Sequence, residues 1–128
     1  MDANRAIGNG ATLLMARLVD RRGGAIGPAH VREITYAIHA QDPRSASGFR
    51  LLPGTGVRMR VEQVLFPALQ VDKAWTMDRE GYNFRHELRA GDLWPAWRPS
   101  GCCRVEYRLV LSGGGESRVW FQLRRIRP

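Results

Sequence analysis

A chain of 128 residues with 44% hydrophobic and 25% charged side chains has room for one domain and enough apolar surface to bury its own core. Neither whole-chain disorder nor a miniprotein stapled by disulfides or metal is the expectation. No apolar run approaches the ~20 residues of a membrane span, and Ala11 to Ala16 is too short for a signal segment, so a non-exported chain without membrane association is expected. The net charge is +8, from nineteen arginines and Lys73 against twelve carboxylates. That balance favours acidic partners, nucleic acid or protein, although a GC-rich genome writes the same arginine bias.

Residues 1–10 carry two glycines, two asparagines and little apolar pattern, which predicts an extended arm ordered by a neighbour. Residues 11–128 read as a single domain. Its first strand spans Ala11 to Asp20 and stops at the turn Arg21-Arg22-Gly23-Gly24. After Gly27-Pro28, Ile34, Tyr36 and Ile38 alternate with Glu33, Thr35 and His39, the period-two signature of a half-buried strand. A polar loop covers Asp42 to Gly48, and short strands are expected at Phe49 to Leu52 and around Val57 and Met59. From Val61 the period changes: Val61, Val64, Leu65 and Leu69 follow helical spacing, interrupted by Pro67. One or two helical turns crossing the end of the sheets are therefore expected.

Tyr82, Phe84, His86 and Leu88 alternate with Asn83, Arg85 and Glu87, another strand. The strongest local signal comes last. Val105, Tyr107, Leu109 and Leu111 share one face, Val119, Phe121 and Leu123 repeat the pattern, and Ser112-Gly113-Gly114-Gly115 joins them, which reads as an antiparallel hairpin. Without β-helix-β alternation, about seven short strands and one short helical crossing point to an all-β, immunoglobulin-like two-sheet antiparallel sandwich. A jelly roll or small barrel is the alternative, because strand count does not determine connectivity.

Little catalytic chemistry is legible. His30, His39 and His86 fall at a loop, a polar face and an inner face, and no nucleophile elbow occurs. Cys102 and Cys103 are adjacent, so in a strand they point to opposite faces and neither pair with each other nor make a zinc half-site. Asp72, Asp78 and Glu80 resemble part of a calcium loop that lacks its remaining oxygen ligands. Catalytic residues, metal and cofactor are accordingly none. Arg58, Arg60, Arg104, Arg108 and Arg124 fall on outward faces and could form one basic surface, with Trp120 beside it. Trp94, Trp97 and Arg98 lie in a proline-bracketed loop whose aromatic and arginine content suits an interface centre. With Arg5 on the arm, the candidate interface set is Arg5, Trp94, Trp97, Arg98, Arg104, Arg108, Trp120 and Arg124.

The segment Val64-Leu65-Phe66, Leu69-Gln70, Asp72, Trp75, Asp78 and Gly81-Tyr82-Asn83-Phe84-Arg85-His86, followed by Arg104-Val105-Glu106-Tyr107, resembles small β-sandwich proteins from the structural modules of tailed phages and phage-like elements. The beginning, Ala11 to Asp20 with its Gly-Gly turn, is similar to N-terminal domains of phage baseplate proteins. The resemblance spans roughly residues 11 to 126. It implies a non-enzymatic structural protein of a virion or phage-like particle assembled in the bacterial cytoplasm, foremost a capsid decoration (cement) protein, otherwise a head-tail or baseplate component. Its partners would be major capsid or tail proteins contacted in many symmetric copies. A basic nucleic-acid-binding β-domain is the second reading.

Overall fold

A computed structural model describes residues 2–7, 11–52, 56–89 and 102–125. These form β1 (Asp2–Ile7), β2 (Ala11–Ala16), β3 (Val31–Gln41), β4 (Phe49–Leu51), β5 (Val57–Met59), α1 (Val61–Val64), β6 (Leu65–Gln70), β7 (Tyr82–Arg89), β8 (Cys102–Leu111) and β9 (Glu116–Arg125), with a 3-10 turn at Pro28–His30. The fold is mostly β in two sheets. The larger has the order β1-β9-β8-β3, with β4 and β5 sharing the far edge of β3; the smaller has the order β2-β7-β6.

Two strands exceed the sequence expectation. The segment read as an arm is extended over Asp2–Ile7 and pairs in parallel with β9 of its own chain. The helical spacing after Val61 yields only one turn, α1, closed by the Leu65 N–H on the Val61 carbonyl. Pro67 lacks the N–H that a longer helix would need, and the chain runs on as β6. β6 is an edge strand, paired with β7 at Leu65↔Phe84 and Gln70↔Tyr82 with an irregularity between them; edge placement is what tolerates a proline in a strand. The first strand is also shorter than expected. It stops at Ala16, and the chain continues through an isolated Val19↔Ala25 bridge around the Arg21-Arg22-Gly23 turn.

The terminal hairpin forms as its alternation requires. β8 and β9 pair antiparallel from Cys102↔Arg124 to Val110↔Glu116, and Gly114 and Gly115 close the turn at φ +98° and +83°. Val105, Tyr107, Leu109, Phe121 and Leu123 are all fully buried. Opposite them the small sheet supplies Leu14, Phe84 and Leu88, and the two sheets close on one core. Phe84 meets Tyr107 edge-on, centroids 4.8 Å apart, and Tyr107 in turn meets Phe121 at 5.8 Å. Burying a ring the size of Phe84 contributes about 2–3 kcal/mol. A smaller cluster of Met15, Trp75 and Tyr82 is closed by the β6–β7 loop, which supplies Trp75.

Polar groups in this interior are matched. The Tyr107 hydroxyl lies 2.5 Å from His86 Nδ1. Asn83, fully buried, accepts from Leu18 N–H at 2.7 Å and donates to the Leu18 and Ile26 carbonyls at 2.9 and 3.0 Å. One side chain thus ties the irregular 18–26 segment to β7, which satisfies backbone groups that lack a strand partner. Among the described residues no helix is long and apolar enough to cross a membrane.

Candidate protein interface

Period-two geometry sends every second residue of β3, β8 and β9 to the outer face of the large sheet, and the register lines them into rows. His39, Arg104 and Gln122 form one row; Ala37, Glu106 and Trp120 the next; Thr35, Arg108 and Arg118 a third, with Arg58 of β5 opposite Thr35. Arg104, Arg108 and Trp120, expected to face outward, therefore share one surface. They do not make it uniformly basic. Arg118 contacts Glu106 at 2.6 Å and Glu116 at 3.0 Å, Arg108 contacts Glu116 at 2.5 Å, and Arg58 contacts Glu33 at 3.0 Å. Alternation put the arginines on this face, but the same parity brings in Glu33, Glu106 and Glu116 from neighbouring strands. Charge pairing across strands is the result. The Glu116 carboxyl is held below its ordinary value by hydrogen bonds from Arg108 and Arg118.

Arg104 is different. Its guanidinium lies over the Phe49 ring, 4.2 Å from the centroid, a cation-π geometry, and among the described residues no carboxylate forms an ion pair with it. Beside it His39 packs against Trp120 with ring centroids 5.4 Å apart and sits 4.0 Å from Glu106. His39 Nδ1 is buried with no hydrogen-bond partner among the described residues. Burial lowers the His39 pKa; Glu106 opposes that shift and Arg104 adds to it. The centre of the patch is thus half-buried Trp120 and His39 with Arg104 on Phe49, and its rim is a set of ion pairs.

His39, Phe49, Glu106, Glu116 and Arg118 belong to this surface and were not in the interface set expected from sequence. The hairpin register carried part of the signal, since a turn at Ser112 to Gly115 sets Arg118 opposite Arg108. Alternation in β3 had put His39 on a polar face, but no local cue set it beside Trp120. Arg60, expected on the same basic surface, is instead the residue that precedes α1. It lines a cleft of about 570 Å³ between β5, α1 and β7. Of the other cations of that cleft, Arg58 is paired with Glu33 at 3.0 Å. Of the remaining candidates, Arg5 and Arg124 are placed by backbone register only, opposite Leu123 and Cys102. Trp94, Trp97 and Arg98 lie outside the described residues.

The acidic β6–β7 loop has its own logic. Asp78 accepts from Trp75 Nε1 at 3.0 Å, from the Glu80 and Gly81 N–H groups at 3.0 and 3.1 Å, and from Arg17 at 2.7 Å. Those donors hold its carboxyl far below the usual range. Asp72 takes the Tyr82 hydroxyl at 2.5 Å and the Ala74 N–H at 2.9 Å. Both carboxylates organise the loop through its own donors, and no group of three or more metal-ligating side chains occurs among the described residues. The three histidines remain on separate elements: His30 Nδ1 accepts from Gly27 N–H at 3.1 Å, His39 joins the outer patch, and His86 bonds Tyr107. Cys103 is buried, its thiol pushed up to about 12, and Cys102 is partly exposed; both are free.

No family model matches this sequence, and no curated protein or solved structure matches it either.

Proposed function

We propose that this chain is a non-enzymatic docking protein that binds another protein through the outer face of its large sheet. The observation that carries the reading is the patch itself, with Trp120, His39 and Arg104 at the centre and neutralised ion pairs around them. Aromatic and arginine anchors inside a polar rim are the composition of an energetic interface centre. The resemblance around the Gly81 to His86 block supplies the setting: a phage-like particle, in which the chain serves as a capsid decoration protein or a head-tail or baseplate component. The strand orders β9-β8-β3 and β2-β7-β6 support the finer fold reading. Lettered in chain order with β2 as B, β3 as C and β6 to β9 as D to G, they are the G-F-C and B-E-D orders of an immunoglobulin-like sandwich.

Particles purified from cells carrying this gene and its neighbours test the function. Wild-type chain is expected to co-sediment with them; Arg104→Ala and Trp120→Ala each lower the apparent affinity by about tenfold or more, while rim Arg108→Ala stays within about twofold. Circular dichroism verifies that each variant is folded. A chain that never sediments with particles removes the assignment.

The net charge of +8 favours nucleic-acid binding as the second reading. It predicts that binding to single- or double-stranded DNA collapses steeply with added salt, as released counterions require. The ion-paired rim argues against it, because three carboxylates interrupt the path a phosphate backbone would follow.

A further inference from the structure

We propose that β1 is an exchangeable strand, which leaves the β9 edge of its own chain and seats on β9 of a second copy. In the described fold, Asp2 to Ile7 run parallel to Trp120 to Arg125, one residue opposite another over six positions. Every other strand pair among the described residues is antiparallel, and parallel pairing is the weaker kind per residue. The sequence adds little. Asp-Ala-Asn-Arg-Ala-Ile contains aspartate, asparagine and two alanines, all poor strand formers, and only Ile7 is β-branched.

The seat, by contrast, is built into the core. Phe121 and Leu123 of β9 are fully buried, and β8 holds the other edge of β9 across nine paired positions. If β1 lifts away, the edge groups of β9 stay in register to receive the same six residues from elsewhere. A second copy restores the same backbone bonds in the same register, so exchange costs no contact; it differs only in the translational freedom lost. β1 is joined to β2 by Gly8, Asn9 and Gly10, residue types with the widest choice of backbone angles.

A short tether gives the intramolecular seat an effective concentration on the order of millimolar. The chain therefore keeps its own β1 in dilute solution and exchanges it when copies are crowded. The proposal is independent of the outer-face reading, since it needs only another copy of this chain. Its geometry nevertheless links the two, because position 2 of the incoming strand lies opposite Trp120.

The test uses two full-length chains, both with Cys102→Ser. One carries Asn4→Cys and the other Gln122→Cys, positions that lie opposite each other in the register. They are mixed and oxidised with oxidised glutathione, which is reduced as the two thiols join. A disulfide between the two chains in excess of random collision reports β1 of one seated on β9 of the other. Asn4→Cys mixed with Ser47→Cys, on the remote exposed loop, measures random collision. Between about 10 µM and about 1 mM the specific product is expected to rise from roughly a hundredth to near half of the chains, well above the control. Specific product no greater than the control at the higher concentration overturns the proposal, provided the doubly substituted single chain closes its own disulfide. Failure of that internal closure would overturn the register on which the proposal stands.

Discussion

Gly81 and Gly114 both sit at positive φ, +100° and +98°, yet their surroundings separate them. A Cβ at Gly81 would press on the Gln70 carbonyl, whereas nothing lies within 4 Å of the corresponding position at Gly114. Gly114→Ala is therefore expected to cost only the left-handed backbone penalty, about 1 kcal/mol. Gly81→Ala adds a backbone collision and is expected to cost about 3 kcal/mol or more; paired denaturant curves measure the difference. Asn83→Ala leaves the Leu18 N–H and the Ile26 carbonyl without that partner inside the protein, while the Leu18 carbonyl keeps the Ile26 N–H, and a loss of roughly 3 kcal/mol is expected. A loss under 1 kcal/mol would mean that water replaces the amide. Gly81 and Asn83 share one block with Tyr82, Phe84 and His86, whose partners are Asp72, Tyr107 and Tyr107 again. Gly81 to Phe84 and His86 thus have folding roles, and the choice of partner falls to other residues.

At the scale of elements, legibility tracked the strength of local periodicity. β3, β7, β8 and β9 were readable because alternation over eight residues or more has one solution that buries a face. β6 was not, since Leu65 and Leu69 satisfy helical spacing as well and only the pairing with β7 decides between the two. β1 was not either, because its pattern is polar and its pairing lies with the far end of the chain. β6 remains an edge, with Pro67 exposed and Leu69 and Val71 38% and 62% exposed. Pro67 has no backbone N–H to offer an added strand, which discourages one from joining this edge. Pro67→Thr is accordingly expected to alter stability by no more than about 0.5 kcal/mol. It should promote concentration-dependent association, visible by light scattering. Unchanged scattering at high concentration would show that the irregularity in β6 protects the edge without the proline.

The whole molecule responds to acid through groups on several elements at once. The Asp42, Asp72, Asp78 and Glu116 carboxyls are all held below their ordinary values of 3.8 or 4.5 by hydrogen-bond donors and arginines. In the unfolded chain they take up protons at higher pH than in the fold. Their contribution is therefore complete above about pH 5 and is lost as pH falls through the lower folded values. His39 acts in the same direction at higher pH: burial lowers it from 6.5, so the unfolded chain protonates first and stability declines as pH drops below about 6.5. Thermal unfolding is expected to be level between about pH 7 and 8, to decline at higher pH as the buried Cys103 thiol, pushed up to about 12, ionises first in the unfolded chain, and to fall in two stages on acidification below pH 7. His39→Gln should flatten the upper stage and Asp78→Asn the lower. A melting temperature that rises on acidification below about pH 7 would contradict both.

Local chemistry in the sequence was sufficient to determine the class of this protein: mostly β, with a glycine-closed terminal hairpin and two cysteines on opposite faces of a strand. Period two, turn residues and adjacency are properties of neighbouring residues, and they act before any distant contact forms. Which arginines gain a carboxylate partner was decided only by tertiary structure. Arg104 and Arg108 have the same parity on the same strand, yet one rests on Phe49 from β4 and the other is neutralised by Glu116 from β9. The difference comes from strands brought alongside by pairing, and pairing register is a property of the assembled sheet.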